Sequence, residues 1–224
     1  RNTKKIAIIR HDVDRKPKQA LKMAKLENQL GIMSTYYFRT TREVLVPEII
    51  SEISKLNHEI GYHYEVLAQN HGNKSQAIKD FEKNLELLRK ISNVKTICMH
   101  GSPLSKWRDS DLWTYYDYKK YGIIGEAFLS IDYNQVYYFT DTGRRWDGQK
   151  YNVRDKVKKG VNDYEVRSTE DLINIIPKIK RNISINAHPQ RWHDKLGSWI
   201  SEFVGQNVKN LGKRYLLKKR KGTE

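Results

Sequence analysis

A chain of 224 residues suits one α/β domain or two small ones, and either can bury a substantial core. Its 42 Lys and Arg against 26 Asp and Glu give a net charge of +16, which draws anionic partners but dictates no fold; with no helix-turn-helix, zinc-finger or aromatic RNA-binding signature, nucleic acid is not an expected partner. No stretch approaches ~18 consecutive apolar residues, so a membrane span is not expected.

Short apolar runs alternate with helical patterns along the chain, which is how a β/α protein with a parallel sheet reads. Ile6 to Ile9 is the first expected strand, and Ala20, Met23, Leu26 and Leu30 then step along a helix that Gly31 can end. Ser34 to Phe38 is the second strand. Pro47 suits the first turn of a helix carrying Ile50, Ile53 and Leu56, followed by a short strand around Glu59 to Tyr62. Ile78, Phe81, Leu85 and Leu88 mark the longest clear helix, and Thr96 to Met99 and Val136 to Thr140 read as strands. Ser168 with Asp171 predicts a capping box for a helix carrying Leu172, Ile175 and Ile179. Ile183 to Ala187 returns as a strand, and a last helix carries Trp199, Phe203, Val208, Leu211 and Tyr215.

Interior linkers and repeats are absent, which favours one domain over residues 1–217, followed by a basic tail over 218–224 that is expected to be disordered. The one cysteine, Cys98, lies in the apolar run Ile97-Cys98-Met99 and reads as a buried small hydrophobe. No secretory leader pattern opens the chain, so a cytoplasmic location is expected over secretion; because the first residue is Arg1, a removed targeting segment stays open.

The chemically unusual residues follow the strands. Arg10-His11-Asp12-Val13-Asp14 follows the first, Arg39 the second, His63-Tyr64-Glu65 the third, His100-Gly101-Ser102-Pro103 the fourth, Asp141 to Asp147 the next, and His188-Pro189-Gln190-Arg191-Trp192 the last. In a β/α barrel such segments converge on the C-terminal mouth, where active sites are built. If the first segment stays extended, Asp12 and Asp14 point one way and Val13 the other. One carboxylate can then bind a divalent ion while the other takes a proton from water, although an acid pair bridged to Arg10 or Arg15 is the structural alternative. His63 suits a divalent transition metal beside a carboxylate, or alternatively packs on Tyr62 and Tyr64. His188, held extended by Pro189, could protonate a leaving amine.

Together these segments resemble the polysaccharide deacetylases of the NodB-like class, carbohydrate esterase family 4, in the branch whose first motif is His-Asp-Val-Asp. The likeness runs from about Ile6 to Trp192. It implies a single distorted β/α barrel with fewer than eight strands, with Asp12 as general base, Asp14 as a metal ligand and His188 as general acid. His58-Glu59-Ile60-Gly61-Tyr62-His63 is similar to the family's Gly-His-Glu-Ile-Gly-x-His segment, which makes His63 a metal ligand. Two departures stand out. Leu67 occupies the place of the family's second His ligand, and the arginine of its fourth-strand segment is missing where His100 stands. Because His100 also follows a strand, it is the expected third ligand, ahead of Glu65 and of His71 in its polar loop.

The resemblance implies a hydrolase of amide bonds that removes an N-acyl group, N-acetyl first, from an amino sugar of a glycan or its precursor. Deformylases and cyclic-amide hydrolases belong to the same class, and a glycan-binding barrel without turnover is the alternative. The expected cofactor is a divalent metal, zinc first, with cobalt, nickel or iron as alternatives and metal-independent action left open. The expected partner is a carbohydrate, anionic ones included, contacted by His11, Arg39, Glu65, Arg145, Trp146 and Trp192.

Overall fold

The structure, a computed structural model, describes residues 5–146 and 164–221, with side chains up to residue 211. Strands and helices alternate as β1 (Ala7–Val13), α1 (Pro17–Gln29), β2 (Thr35–Phe38), α2 (Pro47–Lys55), β3 (Glu59–Tyr64), α3 (Val66–Gln69), α4 (Lys74–Arg89), β4 (Thr96–Met99), β5 (Gly125–Glu126), β6 (Val136–Thr140), α5 (Thr169–Ile175), β7 (Asn182–Ala187) and α6 (Leu196–Lys221). The seven strands form one sheet in the order β5-β4-β3-β2-β1-β7-β6, and every neighbouring pair is parallel. Curled and flanked by helices, this sheet is a distorted β/α barrel with fewer than eight strands. It is open between β5 and β6, which do not pair among the described residues.

Local chemistry accounts for most element ends. Pro17 and Pro47 stand in the first turns of α1 and α2, where a missing N–H costs nothing. Asn73 caps α4 by accepting from Gln76 N, and Ser168 and Asp171 form both halves of the expected box on α5. Two expectations need correction, and one strand has no counterpart among those expected. In α1 the buried face is Pro17, Ala20 and Ala24, while Leu26 and Leu30 are exposed; the small alanines let the helix approach the sheet closely, and Glu27 is turned toward His11, Ser34 and Tyr36. The strand β5 has only two residues, too few to show a period. The basic run Lys218 to Lys221, expected as a disordered tail, continues α6, because nothing between Tyr215 and Lys221 breaks a helix; residues 222–224 lie outside the described residues.

The apolar core lies between the sheet and the helices. Val13, Tyr36, Phe38, Ile60, Tyr62 and Ile97 pack there with Ala20, Ile50, Ile53, Phe81, Leu85 and Leu88. On the other side of β1, Tyr137, Phe139 and Ile183 pack with Leu172 and Ile179. Each such side chain contributes ~1.5–3 kcal/mol when fully buried, so this layer carries the fold. The inward positions are left for polar groups: Arg10, Asp12, His63, Cys98, Tyr138 and Asn186 share hydrogen bonds across the barrel interior. Gly61 keeps that interior open, since a Cβ there would stand 2.3 Å from the Tyr37 ring.

Candidate active site

At the C-terminal mouth, Asp12, Asp14, Arg39, His63, His100 and His188 line one cavity of about 250 Å³, joined by Gln190 and by Arg15, Gln206 and Lys209 at its rim. Asp12 is the last inward residue of β1. The chain turns at once beyond it, Asp14 N donating to Asp12 O at 3.1 Å, so the extended run expected through Asp14 stops at Val13. Asp14 reaches the cavity from this turn instead of by strand alternation.

A trio gathers on Asp14. Its Oδ1 lies 3.3 Å from His63 Nε2 and 3.5 Å from His100 Nε2, and all three ligand atoms lie within 4.8 Å of one another. Bonds of about 2.0–2.1 Å at tetrahedral angles would put ligand atoms ~3.3 Å apart, so the spacing fits a zinc-like ion. The outer atoms of the trio are already engaged. His63 Nδ1 is 2.9 Å from Cys98 O, His100 Nδ1 is 2.9 Å from Glu65 Oε2, and Gln190 Nε2 donates to Asp14 Oδ2 at 2.9 Å. Each imidazole thus gives its Nδ1–H to an oxygen and turns Nε2 inward, the tautomer that metal ligation requires. Asp14 Oδ1 is buried without a hydrogen-bond partner, an orphaned acceptor that a cation would satisfy.

The electrostatics agree. Burial opposes charge on Asp14, but the adjacent His63, with His100 and His188, outweighs it and holds the carboxyl well below its ordinary range. Burial also opposes charge on His63, yet Asp12 and Asp14 hold it well above the ordinary histidine value, so the site favours positive charge there. Glu65 is held down to about 2, burial being overcome by His100 and then Arg39. A second cluster, Asp12, His63 and Cys98, is spaced for a metal but is chemically unsuited. Burial pushes the Cys98 thiol up to about 12, and the Arg10 guanidinium already lies against its sulfur.

Asp12 is held from two sides. Asn186 Nδ2 donates to Oδ2 at 2.7 Å, and Arg10 Nη1 stands 3.6 Å from Oδ1. Burial raises its pKa, but Arg10, His63 and His188 together bring it below the ordinary value, so Asp12 is ionised at neutral pH. His188, on the neighbouring strand end, has its Nδ1 2.5 Å from Asp141 Oδ1 and its backbone N–H on Asp141 Oδ2 at 3.0 Å. Arg191 and Trp192 Nε1 also donate to Asp141, at 2.7 and 3.1 Å. Against the cost of burial, Arg191 and then His188 hold Asp141 down to about 2, a fixed anion that orients the imidazole.

The expected substrate contacts divide. Arg39 lines the cavity and pairs with Glu65, whose other oxygen serves His100, so Glu65 supports the trio from behind. His11 is not brought to the mouth. Alternation along β1 sends it outward with Val13, onto Glu27 at 2.7 Å and the Tyr36 ring. Arg145 is bridged to Glu165 at 3.1 Å and does not line the cavity. Trp146 and Trp192 lie with ring centroids 6.1 Å apart beside a neighbouring cavity of about 280 Å³, shared with Asp141, Arg144, Trp199 and Phe203. Leu67 is 3% exposed and packs in the main core, and His71 sits against Trp107. Arg10, Asn186 and Gln190 were not anticipated as site residues. The first two had a visible signal, a polar residue at every second position of Arg10-x-Asp12 and Ser184-x-Asn186 within apolar strands.

No family model matches the chain, and no curated protein matches it. Solved structures do. The catalytic domain of a peptidoglycan N-acetylglucosamine deacetylase from Eubacterium rectale superposes with a TM-score of 0.53 at 14% identity, covering 94% of this chain and 87% of that one. A CE4 esterase from Streptococcus mutans gives 0.52 at 13% identity over 97% and 84%. A CE4 family pseudoenzyme from Bacillus anthracis gives 0.51 at 12% identity; the match covers 95% of this chain, which spans 63% of that protein's length. At these identities the likeness is one of fold, and the chain has the barrel fold of these CE4 proteins.

Proposed function

We propose that this chain is a deacetylase-type hydrolase that removes an N-acyl group, N-acetyl first, from an amino sugar of a glycan or glycan precursor. The carrying observation is that an ionised, buried carboxylate, an Asp-oriented histidine and an Asp–His–His trio line a single cavity. Asp14, His63 and His100 would hold a divalent cation, zinc-like in its ligand set, which when bound polarises a carbonyl and makes water more acidic.

The chain's own groups supply the proton transfers. Asp12, ionised and held by Asn186 at Oδ2 and by Arg10 at Oδ1, would take a proton from the attacking water on a remaining carboxylate lone pair. Arg10 fixes the carboxylate from the interior. His188, with Nδ1 committed to Asp141, can deliver a proton from Nε2 to the departing amine. Gln190 holds Asp14, and Glu65 holds His100, so neither ligand must reorganise.

The experiment is an acyl-release screen of zinc-loaded protein on chitin oligomers, peptidoglycan fragments and nucleotide-linked amino sugars, run beside Asp12→Asn. Release of acetate or formate by the native chain, lost in Asp12→Asn with unchanged circular dichroism, is the expected result. Glycan binding without release would overturn the proposal in favour of a binding barrel, the reading that Leu67 in place of a histidine favours.

A further inference from the structure

The helix α6 is mounted with its polar side inward. Glu202, Gln206 and Asn210 are buried, Asn210 Nδ2 donating to Gly143 O at 3.0 Å, Gln206 Nε2 to Asn210 Oδ1 at 2.9 Å, and Glu202 facing Arg15 and Lys16 at 3.7 and 3.9 Å. The apolar residues point out. Leu196, Ile200, Val204, Val208 and Leu211 are 73, 48, 56, 64 and 64% exposed, and their spacing of three and four residues puts them on one continuous stripe. An isolated exposed leucine needs no explanation, but a stripe of five on one helix marks a surface that something covers.

The charge says what. Apart from Lys209 at the cavity rim, the sequence of α6 carries Lys213, Arg214 and the run Lys218-Lys219-Arg220-Lys221 against the single acid Glu202, which already faces two cations. A second copy of this helix would bring like charge against like charge, and the net +16 of the chain adds to that repulsion. An anionic lipid surface answers both features at once, taking the apolar stripe at its acyl boundary and the basic residues among its headgroups. We infer that α6 is an interfacial helix that holds this protein on anionic membranes without crossing them. In agreement, no helix among the described residues is long and apolar enough to span a bilayer.

The inference is independent of the hydrolase reading and is tested without substrate. The full chain is sedimented with vesicles of phosphatidylcholine alone and of phosphatidylcholine with phosphatidylserine, at low and high salt, beside the triple variant Ile200→Ser/Val204→Ser/Val208→Ser and the single variant Val208→Glu. The native chain should pellet with the phosphatidylserine vesicles, less so at high salt, and the triple variant should bind at least about tenfold more weakly with unchanged circular dichroism. Val208→Glu serves the same comparison if the triple variant misfolds. Failure to bind either vesicle, or binding untouched by the substitutions, would overturn the inference. So would a native dimer in sedimentation that the same substitutions dissociate, since a second copy would then cover the stripe.

Discussion

Removal of His100 probes the trio most directly. In His100→Ala the cavity keeps Asp14 and His63, two ligands where catalytic zinc sites have three. A four-ligand structural zinc site is worth ~10–16 kcal/mol, so about 2.5–4 kcal/mol per ligand, and the loss of one should weaken binding by roughly 10²–10³-fold. Glu65 acts one step back, through its 2.9 Å contact with His100 Nδ1, so Glu65→Gln should cost only ~10–100-fold. His71, packed on Trp107, is the internal control and should change nothing. Competition titration of zinc against a chromophoric chelator gives the three dissociation constants, and acyl release measured on the same samples shows whether activity follows occupancy. If His100→Ala binds zinc as tightly as the native chain, the trio is not the metal site.

Asp109 offers a pH test of stability. Burial pushes it up to about 7 although it accepts from Leu67 N and Ala68 N at 2.8 and 3.0 Å. An acid whose folded pKa is raised binds more protons folded than unfolded, so its contribution is fully present below about 3.8 and is lost as pH rises through about 7, a change of up to ~4 kcal/mol. Asp109→Asn should therefore unfold at higher urea than the native chain at pH 8, with an advantage that shrinks by more than half at pH 5 and disappears only below about 3.8; parallel curves would refute the shift. Asp141→Asn should lower kcat by ~10²–10⁴-fold with little change in KM, because the imidazole loses its orienting anion. His188→Ala should lose less on substrates with better leaving groups, and an equal loss across such a series would make His188 structural. Leu67→His should lower the melting temperature without raising zinc affinity, since the side chain enters the core; tighter zinc binding would show that the short helix α3 can turn its residues to the mouth.

Much of this was legible because a parallel barrel ties chemistry to strand ends. The alternation that pairs Asp12 with an inward face also assigns His11 to the outer one, so the outward turn of His11 onto Glu27 was readable and the substrate role was not. The turn after Val13 was hidden, because Asp14 N on Asp12 O is a tertiary choice and no glycine or proline marks it. The place of His100 at the mouth is legible from its position after a strand, while its contact with Glu65 is not, since nothing in a one-dimensional pattern tells a residue facing the cavity from the group that holds it. Gln190 and Asn186 meet Asp14 and Asp12 across nearly the whole chain, at separations no local period reaches.

The open seam of the sheet divides the labour by position in the chain. Asp14, His63 and His100, the trio proposed to hold the cation, all follow strands ahead of the gap between β5 and β6, whereas Asp141 and His188 follow strands beyond it. The two parts meet where β7 pairs with β1, Ala7 beside Ile183 and His11 beside Ala187. That pairing closes a loop of most of the chain, and contacts of such sequence separation form late because their entropy cost is met only after local structure exists. A nascent chain would accordingly gather Asp14, His63 and His100 before it owns Gln190 to hold Asp14 or His188 to give a proton, and both would arrive in one step, when the last strand docks beside the first.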